Sequence, residues 1–251
     1  MDYKQTERKR MTYEDLKDRI EIYADGPEPK NIDLLIRDFH VKGFTTNPSL
    51  MKKLGVKDYF AFKDLMLDKV INYPISFEII ADELDEMERQ ARLINGWGKN
   101  VYVKIPITNT QEVSTVPLIK KLAHEGIKIN ATAVFTPEQI NSLEDCFKGS
   151  QVPSVVSVFA GRIANTGEDA KENVRYAVGK FKDAPNVKVY WCSTREVYNI
   201  MEAIESGAQV ITMPESIIKE AYKTIGKDLG QYSRETVQMF RKDALESGYC
   251  L

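Results

Sequence analysis

Eight short apolar or alternating runs separated by eight amphipathic stretches predict an α/β protein, a single (β/α)8 barrel over residues 1–251 with an extra helix at each end. The strand-like runs fall at residues 21–25, 43–47, 75–79, 101–107, 127–135, 155–160, 187–193 and 209–213. Between them, apolar residues recur at i, i+3, i+4 and i+7 over residues 32–39, 59–71, 84–94, 116–123, 137–147, 170–181, 197–204 and 216–225, the spacing of one helix face. No Gly/Ser linker or break in composition divides the chain, and its length suits one such barrel. The competing arrangement, an open doubly wound sheet, would carry GxGxxG after its first strand, and none is there.

On a strand alternate side chains share a face; in a barrel one parity packs on the helices and the other lines the lumen. The first strand sets Ile22 and Ala24 against Tyr23 and Asp25, the second Phe44 against Thr45 and Asn47, and the third Ile75, Phe77 and Ile79 against Ser76 and Glu78. In the fourth, Val101, Val103, Ile105 and Ile107 oppose Tyr102 and Lys104. The fifth opposes Asn130 and Thr132 to Ile129, Ala131 and Ala133, the sixth Ser157 to Val156 and Val158, and the seventh brings Trp191 and Ser193 to one side. The lumen is thus expected to hold Asp25, Asn47, Glu78, Lys104, Asn130, Thr132, Ser157 and Ser193. A barrel interior built only for packing is dominated by branched apolar side chains, and so many polar groups are costly to bury unpaired. They read as a site; a self-satisfied polar network is the structural alternative.

Lys104 is the most informative of them. An ammonium in the middle of an apolar strand is either solvated at a strand end or used, and a partly desolvated lysine with a depressed pKa serves in Schiff-base formation with a carbonyl substrate. Arg162 follows the sixth strand and Arg195 the seventh, both at loop-to-helix junctions on the face where the strands end. Each alone is an ordinary surface charge; together they read as a phosphate clamp.

Other features bound the function. With 35 basic and 37 acidic residues, no attraction to nucleic acid or a membrane surface is expected, so the partner should be a small molecule. No apolar run reaches about 20 residues, and residues 1–10 are polar and expected to be frayed, without the character of a signal peptide. Cys146, Cys192 and Cys250 are widely separated and form neither a disulfide framework nor a CxxC pair, which fits a reducing cytoplasm. His40 and His124 are far apart, at helix-to-strand junctions, and read as solvated loop residues with no metal role. Extra helices are expected over residues 12–20 and 232–247, as lids, interface helices or plugs of the barrel ends. Asn130-Ala131-Thr132 matches a glycosylation acceptor but lies inside an expected strand.

Seven blocks now stand in order: Ala24-Asp25-Gly26, Gly43-Phe44-Thr45-Thr46-Asn47-Pro48-Ser49-Leu50, Ser76-Phe77-Glu78, Val103-Lys104-Ile105-Pro106, Asn130-Ala131-Thr132, Ser157-Val158-Phe159-Ala160-Gly161-Arg162 and Ser193-Thr194-Arg195. Over residues 22–214 the chain resembles the transaldolase family of class I aldolases. The resemblance implies that Lys104 is the Schiff-base lysine and Asp25 the acid/base carboxylate. It implies that Glu78 and Thr132 hold a catalytic water, that Asn47, Asn130 and Ser157 bind the dihydroxyacetone portion, and that Arg162, Ser193 and Arg195 form the phosphate site.

The implied reaction is a ping-pong transfer of dihydroxyacetone from sedoheptulose 7-phosphate or fructose 6-phosphate to an aldose phosphate. The iminium serves as electron sink, so neither cofactor nor metal is expected. Sugar phosphates are the expected partners, and a homo-oligomer is left open. A related branch, the fructose 6-phosphate aldolases, carries an amide where Glu78 stands and a proton-donating tyrosine where Phe159 stands; both positions here are of the transaldolase type. The alternatives are an aldolase releasing dihydroxyacetone, a specialised enzyme for another anionic sugar, and a non-catalytic sugar-phosphate binder. The chain departs from the classical enzymes in its shorter length, in Trp191-Cys192 before the phosphate serine, and in Asn109-Thr110-Gln111 after the lysine strand.

Overall fold

The computed structural model describes residues 10–249; the expected fraying at the amino terminus, save Arg10, and Cys250 lie outside them. Eight parallel strands close into a barrel in sequence order: β1 (Glu21–Asp25), β2 (Gly43–Thr45), β3 (Ile75–Glu78), β4 (Val101–Pro106), β5 (Ile129–Val134), β6 (Ser154–Val158), β7 (Val187–Trp191) and β8 (Val210–Met213). Around them run α1 (Ile32–Phe39), α2 (Pro48–Lys53), α3 (Tyr59–Val70), α4 (Leu84–Asn95), α5 (Val116–His124), α6 (Pro137–Phe147), α7 (Ala160–Ala164), α8 (Ala170–Lys180), α9 (Asn199–Ser206), α10 (Glu215–Thr224) and α11 (Leu229–Glu246). The (β/α)8 barrel read from the alternation of patterns is the fold.

The outward parity builds the core between strands and helices. Phe44, Phe77, Ile105, Val156 and Trp191 are fully buried there, with Leu35, Met66 and Ile119 from the helices. Each such side chain contributes about 1.5–3 kcal/mol by leaving water. The inward parity fills the lower lumen with Tyr23, Val155, Tyr190 and Val210. The Tyr23 and Tyr190 rings meet edge to face at 5.3 Å. Tyr23 lies flat across the start of β2 because that residue is Gly43, where a Cβ would stand 2.3 Å from the ring. Among the described residues this plug fills the lower lumen, and the cavity lies at the carboxyl ends of the strands.

Several boundaries differ from the sequence pattern. β2 stops at Thr45 because Asn47 turns to cap α2, accepting a 3.0 Å hydrogen bond from Leu50 N. That helix, and α7 after β6, have no counterpart among the expected elements. β7 ends at Trp191, and its parity is the reverse of the expectation: Trp191 is buried among the helices while Tyr190 and Cys192 face the lumen. Ser193 nevertheless reaches the cavity, because a positive φ of 65° turns the chain after Cys192. The segment before β1 forms a 3-10 turn, Glu14–Asp18. Leu16 is fully buried, and the Tyr13 hydroxyl donates to the Phe39 carbonyl at 2.9 Å; the segment packs near the start of β1, away from the open face. At the other terminus α11 begins at Leu229, ahead of the expected start, since Asp228 caps it by accepting from Gln231 N at 2.9 Å. None of its residues is buried.

Candidate active site

Strand register makes neighbours of the polar residues. Glu78 pairs with Lys104, Lys104 with Asn130, and Pro106 with Thr132 across β3, β4 and β5, while Asp25 pairs with Thr45 across β1 and β2. Partners in parallel register share parity, so all aim at the lumen. The open end of the barrel holds a cavity of about 410 Å3 lined by Asp25, Asn47, Glu78, Lys104, Thr132, Ser157, Arg162, Ser193 and Arg195. These are nine of the ten residues singled out from the sequence. The tenth, Asn130, is fully buried beneath the others and does not line the cavity.

Lys104 is 5% exposed. Its Nζ lies 2.9 Å from Glu78 Oε2 and donates to the Thr46 carbonyl at 3.2 Å. Burial pulls its pKa down, but the charges of Glu78 and Asp25, with the hydrogen bond to Glu78, outweigh burial and hold it above the ordinary lysine value. The depressed lysine expected from the sequence is therefore corrected: the neighbouring carboxylates favour the ammonium. The strand pattern shows desolvation but not the distance of the carboxylates that oppose it. Asp25 shows the converse balance. Burial raises its carboxyl, and the Lys104 charge with bonds from Thr45 and Asn47 only partly offsets that; Thr45 Oγ1 donates to Asp25 Oδ1 at 2.7 Å.

The Thr132 hydroxyl is buried and has no hydrogen-bond partner among the described residues, although Thr132 lines the cavity. An orphaned buried hydroxyl costs about 1–3 kcal/mol, and one on a cavity wall can offset that cost by bonding to a water or ligand oxygen. β5 delivers it through a register shift between Ala131 and Val134, with Ala133 at a φ of 55°. Below it, Asn130 Nδ2 donates to Ser76 Oγ at 3.0 Å, and Ser157 Oγ donates to Asn130 Oδ1 at 2.7 Å. Cys192 faces the same lumen, its thiol pushed up to about 11 by burial. A thiol so held is a neutral wall, not a nucleophile.

The arginines come to one cavity because Gly161 lets two loops touch. A Cβ there would stand 1.8 Å from the Ser193 carbonyl and 3.2 Å from Arg195 Cγ. Gly161 N donates to the Cys192 carbonyl at 3.1 Å, and Asn199 Oδ1 accepts from Arg195 N at 2.8 Å. Neither guanidinium has an ion-pair partner among the described residues, which leaves both free for an anion.

Sequence reasoning names Cys192 and Gly161 but gives them no part in the site, and it passes over Tyr59, whose hydroxyl donates to the Glu78 carbonyl at 2.7 Å. It places Thr45 and Ser76 on the inward parity without a role. The signal for these residues is that parity; for Cys192 it points the wrong way.

A (β/α)8 barrel with a lysine, two carboxylates and two arginines at its open end is a frame shared by many enzymes, and the comparisons narrow it. The family described as Transaldolase/Fructose-6-phosphate aldolase matches residues 22–248. A "probable transaldolase" of Caldicellulosiruptor saccharolyticus is 32% identical, covering 80% of this chain and 86% of the relative. One of Herpetosiphon aurantiacus is 30% identical, covering 81% and 88%. Among solved structures, the orotidine 5'-monophosphate decarboxylase of Metallosphaera sedula superposes with a TM-score of 0.51 at 13% identity, covering 88% of this chain and 97% of that one, a likeness of fold alone. With the match running from the first strand through the terminal helix, the chain belongs to the transaldolase/fructose-6-phosphate aldolase family.

Proposed function

We propose that this enzyme is a transaldolase, a transferase that moves a dihydroxyacetone unit from sedoheptulose 7-phosphate or fructose 6-phosphate to an aldose phosphate through an imine on Lys104. The observation that carries the reading is the buried ion pair of Lys104 and Glu78 at 2.9 Å in the same cavity as the Thr132 hydroxyl, which has no partner among the described residues.

The chemistry follows from these groups. Lys104 rests as an ammonium and must give up a proton before it can attack; Glu78 is the acceptor in contact. The free amine adds to the C2 carbonyl, and the carbinolamine loses water to give an iminium. A water between Glu78 and Thr132 would carry the protons of that dehydration. Asp25, its affinity for a proton raised by burial, takes the proton of the C4 hydroxyl. The C3–C4 bonding pair flows into the iminium, an aldose phosphate leaves, and the enamine remains on Lys104. Addition to the acceptor aldehyde runs the same steps backwards, with Asp25 returning the proton. Ser157, backed by Asn130, and Asn47 would hold the ketol hydroxyls; Arg162, Ser193 and Arg195 would hold the phosphate. The iminium is the electron sink, so this route calls on no cofactor.

The family covers both transfer and direct cleavage. Release of free dihydroxyacetone needs a proton on the enamine carbon, and Phe159, which lines the cavity, has none to give. The experiment is borohydride reduction in the presence of fructose 6-phosphate with peptide mapping, alongside steady-state assays with and without an acceptor aldehyde. Label on Lys104 and turnover that depends on the acceptor are expected; label elsewhere, or release as fast as transfer, would overturn the proposal.

A further inference from the structure

Arg162 stands at the exposed rim of the cavity on a helix of five residues, with no ion pair or side-chain hydrogen bond among the described residues to fix it. A long side chain in that situation loses about 2 kcal/mol of rotamer entropy when a ligand orders it. One contact restrains it: the guanidinium carbon lies over the Phe159 ring, 5.9 Å from its centroid. The two residues are three apart, on one side of the turn that begins α7, and Arg162 N donates to the Phe159 carbonyl at 2.9 Å.

The ring is itself braced. Phe159 N donates to the Val134 carbonyl at 2.8 Å, just after the irregularity in β5. It also meets the Phe135 ring, tilted at 43° with centroids 5.6 Å apart. Phe135 is held in turn by Gln139 Oε1, which accepts from its N–H at 2.8 Å, and by Asn173 Nδ2, which donates to its carbonyl at 2.8 Å. A cation over an aromatic face is attracted by the ring quadrupole. The ring also offers no strong acceptor, so all five N–H donors of the guanidinium stay available to an anion. A carboxylate could hold Arg162 in place equally well, but it would compete with a phosphate for those donors.

We propose that Phe159 is a positioning residue that preorders Arg162 for the phosphate, and so sets how strongly the enzyme prefers phosphorylated sugars; this rests on the transaldolase reading. The ring and any hydroxyl at this position then have separable effects, the ring acting on phosphate affinity and a hydroxyl on the fate of the enamine.

The test compares Phe159→Leu, Phe159→Met and Phe159→Trp with the wild type, using sedoheptulose 7-phosphate as donor and glyceraldehyde 3-phosphate as acceptor. Loss of the ring should raise both KM values by about 3- to 10-fold, with a smaller change in kcat. Half-saturation of borohydride trapping by unphosphorylated dihydroxyacetone should move less than the phosphate KM values. Phe159→Trp, which keeps an aromatic face, should keep the ratio of the phosphate KM values to the dihydroxyacetone half-saturation closer to wild type than the ringless variants do. Unchanged KM values in both ringless variants, or equal losses with dihydroxyacetone and with phosphorylated sugars, would overturn the proposal. Failure of the wild type to trap at Lys104 would instead sink the reading beneath it. In that event weaker binding of inorganic phosphate to Phe159→Leu and Phe159→Met, followed by thermal shift, would still support the stack, and unchanged binding would refute it.

Discussion

Replacing Glu78 by glutamine perturbs the site where its charges are most tightly matched. Two unit charges 2.9 Å apart attract by about 6 kcal/mol at an effective dielectric of about 20, before the cost of desolvating either is counted. Glu78→Gln removes that attraction and leaves the buried Lys104 with Asp25 as its remaining carboxylate. Burial, which already pulls the lysine down, then faces weaker opposition, so Lys104 should become neutral at lower pH than in the wild type. At the same time the proton carrier for dehydration is lost, a role worth about 100- to 10,000-fold in rate, or about 3–5 kcal/mol. The two effects oppose each other in a way that can be measured. Single-turnover trapping with dihydroxyacetone from about pH 5.5 to about pH 10 should still be climbing at the top of the range in the wild type, whose lysine is held above its ordinary value, and should pass its half-rise at lower pH, toward a lower plateau, in the variant. A half-rise that is unmoved, or displaced to the alkaline side, would mean that Glu78 does not hold the ammonium, and the proposed path of the protons would fail.

Lys104→Arg keeps the charge but offers no amine for an imine, so folding by circular dichroism should be retained while turnover and borohydride labelling vanish. Arg162→Ala and Arg195→Ala each remove a charge-assisted contact worth about 2–4 kcal/mol and should lower kcat/KM for phosphorylated sugars by about 30- to 1,000-fold, with little change in trapping of dihydroxyacetone; equal losses on both would make the arginines structural. Asp25 holds its proton more tightly folded than unfolded, so it costs stability as pH rises from about 4 through its folded value, and the cost is full above that. Asp25→Asn should therefore raise Tm at pH 7 by about 2–4 °C, the equivalent of about 1 kcal/mol, by calorimetry, with the gain shrinking toward pH 4 and turnover lost. Phe159→Tyr keeps the ring over Arg162 and adds a general acid near the enamine, so dihydroxyacetone release should rise relative to transfer while phosphate KM values hold; a wild type that already releases as fast as it transfers would contradict the premise.

What can be read from the sequence follows from which properties are local. Alternation along a strand is local, so parity alone assigns Asp25, Glu78, Lys104 and Ser157 to the lumen. The same rule assigns Asn47, although its backbone has already left the strand to cap α2; the Asn-Pro start of that helix is a visible cue. The shorter α7 gives no such cue, since Phe159 makes no side-chain cap and Ala160-Gly161 carries no helical pattern. Register is not local. Only the folded barrel sets Glu78 beside Lys104, and that adjacency reverses the sign of the lysine's displacement expected from burial alone.

The largest misreading, the face of β7, has a cause that recurs across the barrel. Ser193 reaches the cavity from the parity that should have turned it outward because it adopts a positive φ, and Ala133, on β5 at the other side of β6, does the same. Neither is glycine, so each holds a backbone conformation that costs about 1–3 kcal/mol unless its surroundings enforce it. The surroundings of Ser193 do enforce it: the Cys192 amide is tied to the Val158 carbonyl at 2.8 Å, Thr194 Oγ1 donates to the Thr212 carbonyl at 2.7 Å, and Gly161 presses against the Ser193 carbonyl. Both breaks in strand regularity sit at the ends of strands that deliver side chains into the cavity, Thr132 in one case and Ser193 with Arg195 in the other. A regular strand can place a residue only every second position on one face. Residues at neighbouring positions can share the cavity, as Cys192 and Ser193 do, only if the strand gives up its regularity there, and a reading that assumes regular strands fails at those positions.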